Sequence, residues 1–168
     1  MTKRVKREVL NDTNHTLRLL RKIFSSREKN REIMQYQIEE IEGIGTTYGK
    51  KLREHGVVHV ADLLAKAGTR SGRAQLHKLT HIPESLILTW VNHADLMRID
   101  GIGSQTSELL EASGVDSVKE LSHRNAANLY EKMKEVNSKL GLSGKVPSAA
   151  DIQKMIDAAK KMEPGVSH

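Results

Sequence analysis

The chain reads as all-α, and three observations predict that class. A five-residue stretch occurs twice, as Ile41-Glu42-Gly43-Ile44-Gly45 and Ile99-Asp100-Gly101-Ile102-Gly103, each followed by a hydroxyl residue and a helical pattern. Shifted by 58 residues, the match runs on: Leu52 falls on Leu110, Gly56 on Gly114, Val57 on Val115, Val60 on Val118 and Leu63 on Leu121. Nothing along the chain has the length and alternation of a strand. A register that keeps three glycines aligned with leucine and β-branched positions marks an internal duplication of one supersecondary unit. The expected architecture is two such units packed as a compact helical domain, with extra helices and a basic N-terminal helical extension.

Taken in order, residues 1–33 carry ten Lys and Arg against four Asp and Glu. Val5, Val9, Thr16, Leu19, Leu20 and Ile23 form a stripe at helical spacing, with Leu10 and Leu17 beside it. This segment admits three readings: a basic helix that docks on a partner, a loose appendage, or a stretch upstream of a true start at Met34. A first unit with a helical insertion occupies 34–98 and a second unit with C-terminal helices 99–168, the two forming one integrated domain. In the first, helices are expected over about 37–41, 46–55 and 61–66. An N-capped helix then spans about 72–80, and Pro83 opens the first turn of a helix through Leu86, Ile87, Leu88, Trp90 and Val91. In the second unit the expected helices run over about 104–113, 118–122 and Asn125 to Leu140. Gly141, Gly144 and Pro147 break the chain before Ser148 caps a last amphipathic helix through Ile152, Met155, Ile156 and Ala159.

The repeated stretch carries the chemistry. Two glycines around an isoleucine allow backbone that a Cβ forbids, so Ile44 or Ile102 can enter a core while the flanking backbone stays exposed. Thr46 and Ser104 are placed to cap the following helices, which Gly56 and Gly114 terminate. Free N–H groups beside a helix N-terminus make an anion site. In the first copy Gly43, Ile44, Gly45, Thr46 and Thr47 would cradle a phosphate, backed by Lys50, Lys51 and Arg53. In the second, Gly101, Ile102, Gly103 and Ser104 form the equivalent cradle. There Glu108 and Glu111 follow, so that helix either repels a phosphate or turns inward. Between Asp62 and Glu84 no acid occurs while Lys66, Arg70, Arg73, His77 and Lys78 accumulate. Arg73, His77 and His81 share a helix face, which would extend a nucleic-acid track or simply be solvated.

These hairpins resemble the helix-hairpin-helix motif: an apolar residue, Gly-apolar-Gly, three residues, a small residue (Gly49 or Ser107), then an apolar one (Leu52 or Leu110). The resemblance implies a paired unit that grips nucleic-acid backbone without reading sequence; the same module also serves as a protein-contact domain. Over about residues 36–163 the order of elements resembles the domain-of-unknown-function family 4332. The resemblance is carried by Ile38 to Gly45, Gly72 to Arg73, Leu86 to Arg98 and Leu109 to Asn128. It implies paired helix-hairpin-helix units with helical insertions and no established activity.

Composition excludes much else. With no cysteine there are no disulfides, thiolate metal sites or Cys nucleophiles. The histidine pairs His55/His59 and His77/His81 have metal-like spacing, but Gly56 interrupts the first, Pro83 crowds the second, and no third ligand is in view, so no metal and no cofactor are expected. Trp90 reads as core, with His93 and Asp95 as caps or buried hydrogen-bonding groups. Aromatic residues are too few for base-stacking platforms. No phosphate-binding loop, nucleophile elbow or carboxylate cluster appears, and no second lobe forms a base pocket as in glycosylases that share the hairpin. An enzyme is not expected. No apolar run reaches membrane-spanning length, so the chain is expected to be cytoplasmic, with no membrane partner and no small-molecule substrate. The net charge of +6 lies wholly in 1–33, since 34–168 holds 17 basic and 17 acidic residues. The expected function is sequence-independent binding of nucleic acid, chiefly duplex DNA, with the extension adding affinity by counterion release. The alternative is a protein-interaction module with purely structural hairpins, which the neutral body favours.

Overall fold

The computed structural model describes residues 15–21, 24–25, 28, 31–32 and 35–168. Val5, Val9, Leu10 and Ile23 of the expected stripe lie outside them. From residue 37 on, the elements are a 3-10 turn (Ile38–Glu40) and eight helices: α1 (Gly45–Glu54), α2 (Val60–Ala67), α3 (Arg70–Thr80), α4 (Glu84–Leu96), α5 (Ser104–Ala112), α6 (Val118–Ser122), α7 (Ala126–Leu140) and α8 (Ala149–Ala159). The protein is all-α among the described residues, and none of these helices is long and apolar enough to cross a membrane.

Local chemistry sets most boundaries. Asp62 Oδ2 accepts from His59 N at 2.8 Å and closes a capping box at α2. Thr69 Oγ1, Ser117 Oγ, Asn125 Oδ1 and Ser148 Oγ each accept from the N–H three residues on, starting α3, α6, α7 and α8. Gly56 (φ +75°) and Gly114 (φ +91°) reverse the chain after α1 and α5. There Val57 N reaches Leu52 O and Val115 N reaches Leu110 O, the same bond in both units.

Four expectations are corrected. The first helix is only a 3-10 turn, pinned by Ile38 N to Val58 O at 2.9 Å. Helix α3 starts at Arg70 because Thr69 caps it. Pro83 stands just before α4 rather than in its first turn. Thr46 and Ser104 do not cap: Ile44 and Gly103 occupy the N-cap positions without a side-chain bond, because each helix begins directly out of its hairpin.

Apolar side chains gather in two adjacent clusters. The first includes Ile38, Ile41, Ile44, Leu52, Val60, Leu63, Ile87 and Trp90, and takes in Val166 from the C-terminal end. The second includes Leu96, Ile99, Ile102, Leu110, Val115, Leu121, Met133 and Ile156. Helix α4 joins them, and its residues from Trp90 to Leu96 are all buried. Asp95, fully buried, ties the halves together: its carboxylate accepts from Arg98, from Val118 N at 2.8 Å and from Gly165 N at 3.0 Å. Ser167 N donates to Gly68 O at 2.9 Å, fastening the C-terminal end to the first half.

Candidate nucleic-acid interface

In the first hairpin Gly43 (φ +86°) and Gly45 (φ +50°) hold left-handed backbone on either side of Ile44. Ile44 N bonds to Ile41 O at 3.2 Å, and the Ile44 side chain enters the core at 1% exposure. Trp90 lies beneath, stacked at a tilt on Tyr48 of α1 with ring centres 5.1 Å apart. The turn therefore rests on a rigid aromatic floor. Above it Gly45, Thr46 and Thr47 are exposed in the first turn of α1, where helix geometry leaves N–H groups without intrahelical acceptors. Lys50 and Lys51 are exposed one turn further on.

Among the described residues, Lys50, Lys51, Lys66, Arg70 and Lys78 form no ion pair. Arg53 does, with Glu39 of the 3-10 turn. Its Nε donates to Glu39 Oε1 at 2.9 Å and its Nη2 to Gln37 Oε1 at 2.8 Å. Arg53's hydrogen bonds hold the Glu39 carboxyl below the usual carboxylate range. Gly49 makes room for this pair, because a Cβ there would run into the Glu39 side chain.

The second hairpin keeps the left-handed first glycine and the buried isoleucine but lies in different surroundings. Gly101 is left-handed (φ +90°), but Gly103 (φ −100°) is not. Ile102 is buried, and its N–H reaches Ile99 O at 3.1 Å. Ser107 is wholly buried and donates from Oγ to Ser104 O at 2.8 Å. Glu111 turns inward: its Oε2 lies 2.6 Å from Nε2 of the buried His93 on α4. Burial and the nearby Glu42 carboxylate raise the Glu108 carboxyl above the usual range. Glu42, from the first hairpin, also accepts from Ser104 Oγ at 3.4 Å. One hairpin's acid thus sits at the start of the other's helix. On its open side, this hairpin borders a cavity of about 940 Å³ lined by Gly101, Ser104, Thr106, Lys145, Asp151 and Lys154 among others. Lys154 pairs with Asp151 at 3.2 Å, so the cleft carries both signs of charge.

The basic cluster of 66–78 does not assemble as a track. Arg73 is buried at 4% exposure and donates to Ala67 O, Gly68 O and Ser167 O, so it holds chain segments together instead of facing a ligand. His77 Nδ1 lies 2.7 Å from Ile82 O, so the expected Arg73–His77–His81 face is broken up. Lys66 lies beside Gly56, at the far end of α1 from the hairpin. Arg70 and Lys78 are exposed at opposite ends of α3. Among the described residues no group of three His, Asp or Glu side chains could hold a metal ion.

Sequence reasoning missed the Glu39–Arg53 pair, the His93–Glu111 contact and the mixed-charge cleft at Lys145. The first two join residues 14 and 18 positions apart, a separation with no periodic signature. Asp95 was legible as buried, standing inside the apolar run around Trp90 with Arg98 three residues on.

No curated protein and no solved structure matches the chain. The family model described as Domain of unknown function (DUF4332) matches residues 42–162, from the first hairpin to the end of the last helix. That range takes in both hairpins, α1 to α8 and nearly all of both apolar clusters, so the protein belongs to the DUF4332 family.

Proposed function

We propose that the protein is a non-catalytic, sequence-independent nucleic-acid-binding module of the helix-hairpin-helix kind, gripping duplex backbone phosphate at the first hairpin. One observation carries this reading: the exposed first turn of α1 combines orphan N–H groups with two unpaired lysines, Lys50 and Lys51. The phosphate would sit over Gly45, Thr46 and Thr47, with the lysines adding charge-assisted contacts. The second hairpin contributes less, because Glu42 and Glu108 stand at the start of its helix where the first copy has exposed lysines. The excess charge of 1–33 adds long-range attraction to any polyanion.

A protein-interaction module is the second reading, favoured by the equal basic and acidic counts of 34–168. Titrating the full chain against two labelled duplexes of unrelated sequence separates them. The nucleic-acid reading expects equal affinity for both, falling by about a hundredfold or more in Lys50→Glu with Lys51→Glu, since each of the two charged contacts is worth about 1.5–3 kcal/mol. Absence of binding at low salt selects the interaction reading, and strong preference for one duplex overturns the sequence-independent one.

A further inference from the structure

Beyond α8 the chain turns back as a strap. Residues 163–168 cross from the second half to the first, where Val166, the one buried side chain of the segment, enters the first apolar cluster. The groove that receives the strap holds backbone. Gly68, between α2 and α3, accepts from Ser167 N at 2.9 Å, and a Cβ on Gly68 would lie 2.6 Å from Gly165 O. Asp95 accepts from Gly165 N at 3.0 Å, and Arg98 Nη2 donates to Glu163 O at 2.7 Å. A Cβ on Gly165 would run into the Asp95 carboxylate and the Arg98 guanidinium, so the groove admits only glycine there. At its end stands Arg73 of α3, buried, with Nη2 donating to Ser167 O at 2.6 Å. Its Nη1 is spent on Ala67 O and Gly68 O. No carboxylate pairs with this guanidinium among the described residues. A buried charge ordinarily has an opposite charge beside it; here the strap supplies a neutral carbonyl.

We infer that this groove is a peptide site filled by the chain's own strap, and that its better ligand is an extended partner peptide with a free terminal carboxylate, ending in glycine, a small apolar residue and one further residue. A peptide that stops at the place of Ser167 keeps the backbone bonds to Asp95 and Gly68 and fills the Val166 pocket. Its carboxylate then meets Arg73 where the strap has a carbonyl, and a charge-assisted bond is the stronger of the two. The side chain of the last residue is unread, since Ser167 is exposed. Other occupants satisfy less of the groove. A second copy of the chain brings the same neutral carbonyl and gains nothing over the resident strap. A free anion meets Arg73 but leaves the glycine seat and the apolar pocket empty. The strap can yield its place, because Glu163, Pro164, Ser167 and His168 are exposed and one apolar side chain with a few backbone bonds holds it. The inference is independent of the hairpin reading, because Lys50 and Lys51 take no part in the groove.

The test is fluorescence anisotropy of a labelled peptide with the sequence of residues 162–167 and a free terminal carboxylate, titrated with the full chain. Gly165→Ala and, separately, Val166→Glu loosen the resident strap. Each should bind the peptide at least about tenfold more tightly than wild type, whose tethered strap competes at high effective concentration. Amidating the peptide's terminus should weaken its binding to these variants about tenfold, and alanine in place of its glycine should weaken it at least as much. Both substitutions lie outside the helices, so helical circular dichroism should be retained. Absence of binding to both strap variants overturns the inference. Equal binding of the free and amidated peptides does so too, since Arg73 would then not be reading a carboxylate.

Discussion

The two hairpins share a left-handed first glycine and a buried isoleucine, part company at the second glycine, and face opposite chemistry. In the first, α1 turns Lys50 and Lys51 outward, and its Arg53 occupies Glu39 of the preceding 3-10 turn. In the second, α5 has Glu108 and Glu111 at the corresponding region and folds them toward α4 and the first hairpin. The glycine pattern therefore sets the path of the chain, while residues on the next helical turn decide whether the site meets solvent or another part of the protein. The short helices after each hairpin differ in the same way. Helix α2 is capped by its own Asp62, whereas the first N–H of α6 is held by Asp95 from α4, so the second unit is fastened to the first through its cap.

The largest effect is expected at that cap. Asp95→Ala removes the acceptor of Val118 N and Gly165 N and strands Arg98, and should cost about 3–5 kcal/mol in urea denaturation. Asp62→Ala, which removes only a local capping box, should cost about 1 kcal/mol. Equal costs would mean that Asp95 does not join the units.

A smaller effect separates the glycines. Gly45 and Gly103 are equivalent in sequence, but only Gly45 is left-handed, and both have open space where a Cβ would stand. Gly45→Ala should lose about 1–2 kcal/mol through backbone strain. Gly103→Ala should be neutral or gain up to about 1 kcal/mol by restricting the unfolded chain. The same measurement breaks the comparison if both lose alike.

The smallest effects are in pH dependence, and they have opposite signs. The raised Glu108 carboxyl means that the folded state holds its proton to higher pH than the unfolded chain. Stability should therefore fall as pH rises from the ordinary carboxylate value through the folded one, and Glu108→Gln should flatten that fall. Glu39 is lowered by Arg53, so its contribution is present above the unfolded value and is lost as pH falls through the folded one. Glu39→Gln should remove that acid-side loss in urea midpoints followed across the carboxylate range.

How far the sequence reveals this molecule depends on the range of the interaction. Helix order was legible because Ser148 caps through a bond three residues long and Gly56 and Gly114 stop helices on their own, whereas the Thr69 cap moved the start of α3 two residues ahead of the expected one. The helix start at Gly45 was misplaced because a hydroxyl after a hairpin looks like a cap whether or not it bonds. Within the site, the exposed Lys50 and Lys51 stand where their helical positions put them. Arg53 and Arg73 did not, since Glu39 pairs with the half-exposed guanidinium in one case and the C-terminal Ser167 carbonyl holds the buried one in the other. A basic residue near a motif can be counted from sequence; whether the fold has already used its charge depends on distant partners.

The proposed phosphate contact belongs to the first unit and not the second. The salt dependence of duplex binding by the full chain tests it most directly, comparing wild type with Lys50→Glu/Lys51→Glu and with Lys145→Glu beside the second hairpin. Two lost phosphate contacts should reduce the slope of log K against log salt by about 1.8, and Lys145→Glu should change it far less. An unchanged slope in the Lys50/Lys51 variant, or an equal loss from Lys145→Glu, would mean that the first hairpin does not hold the phosphate.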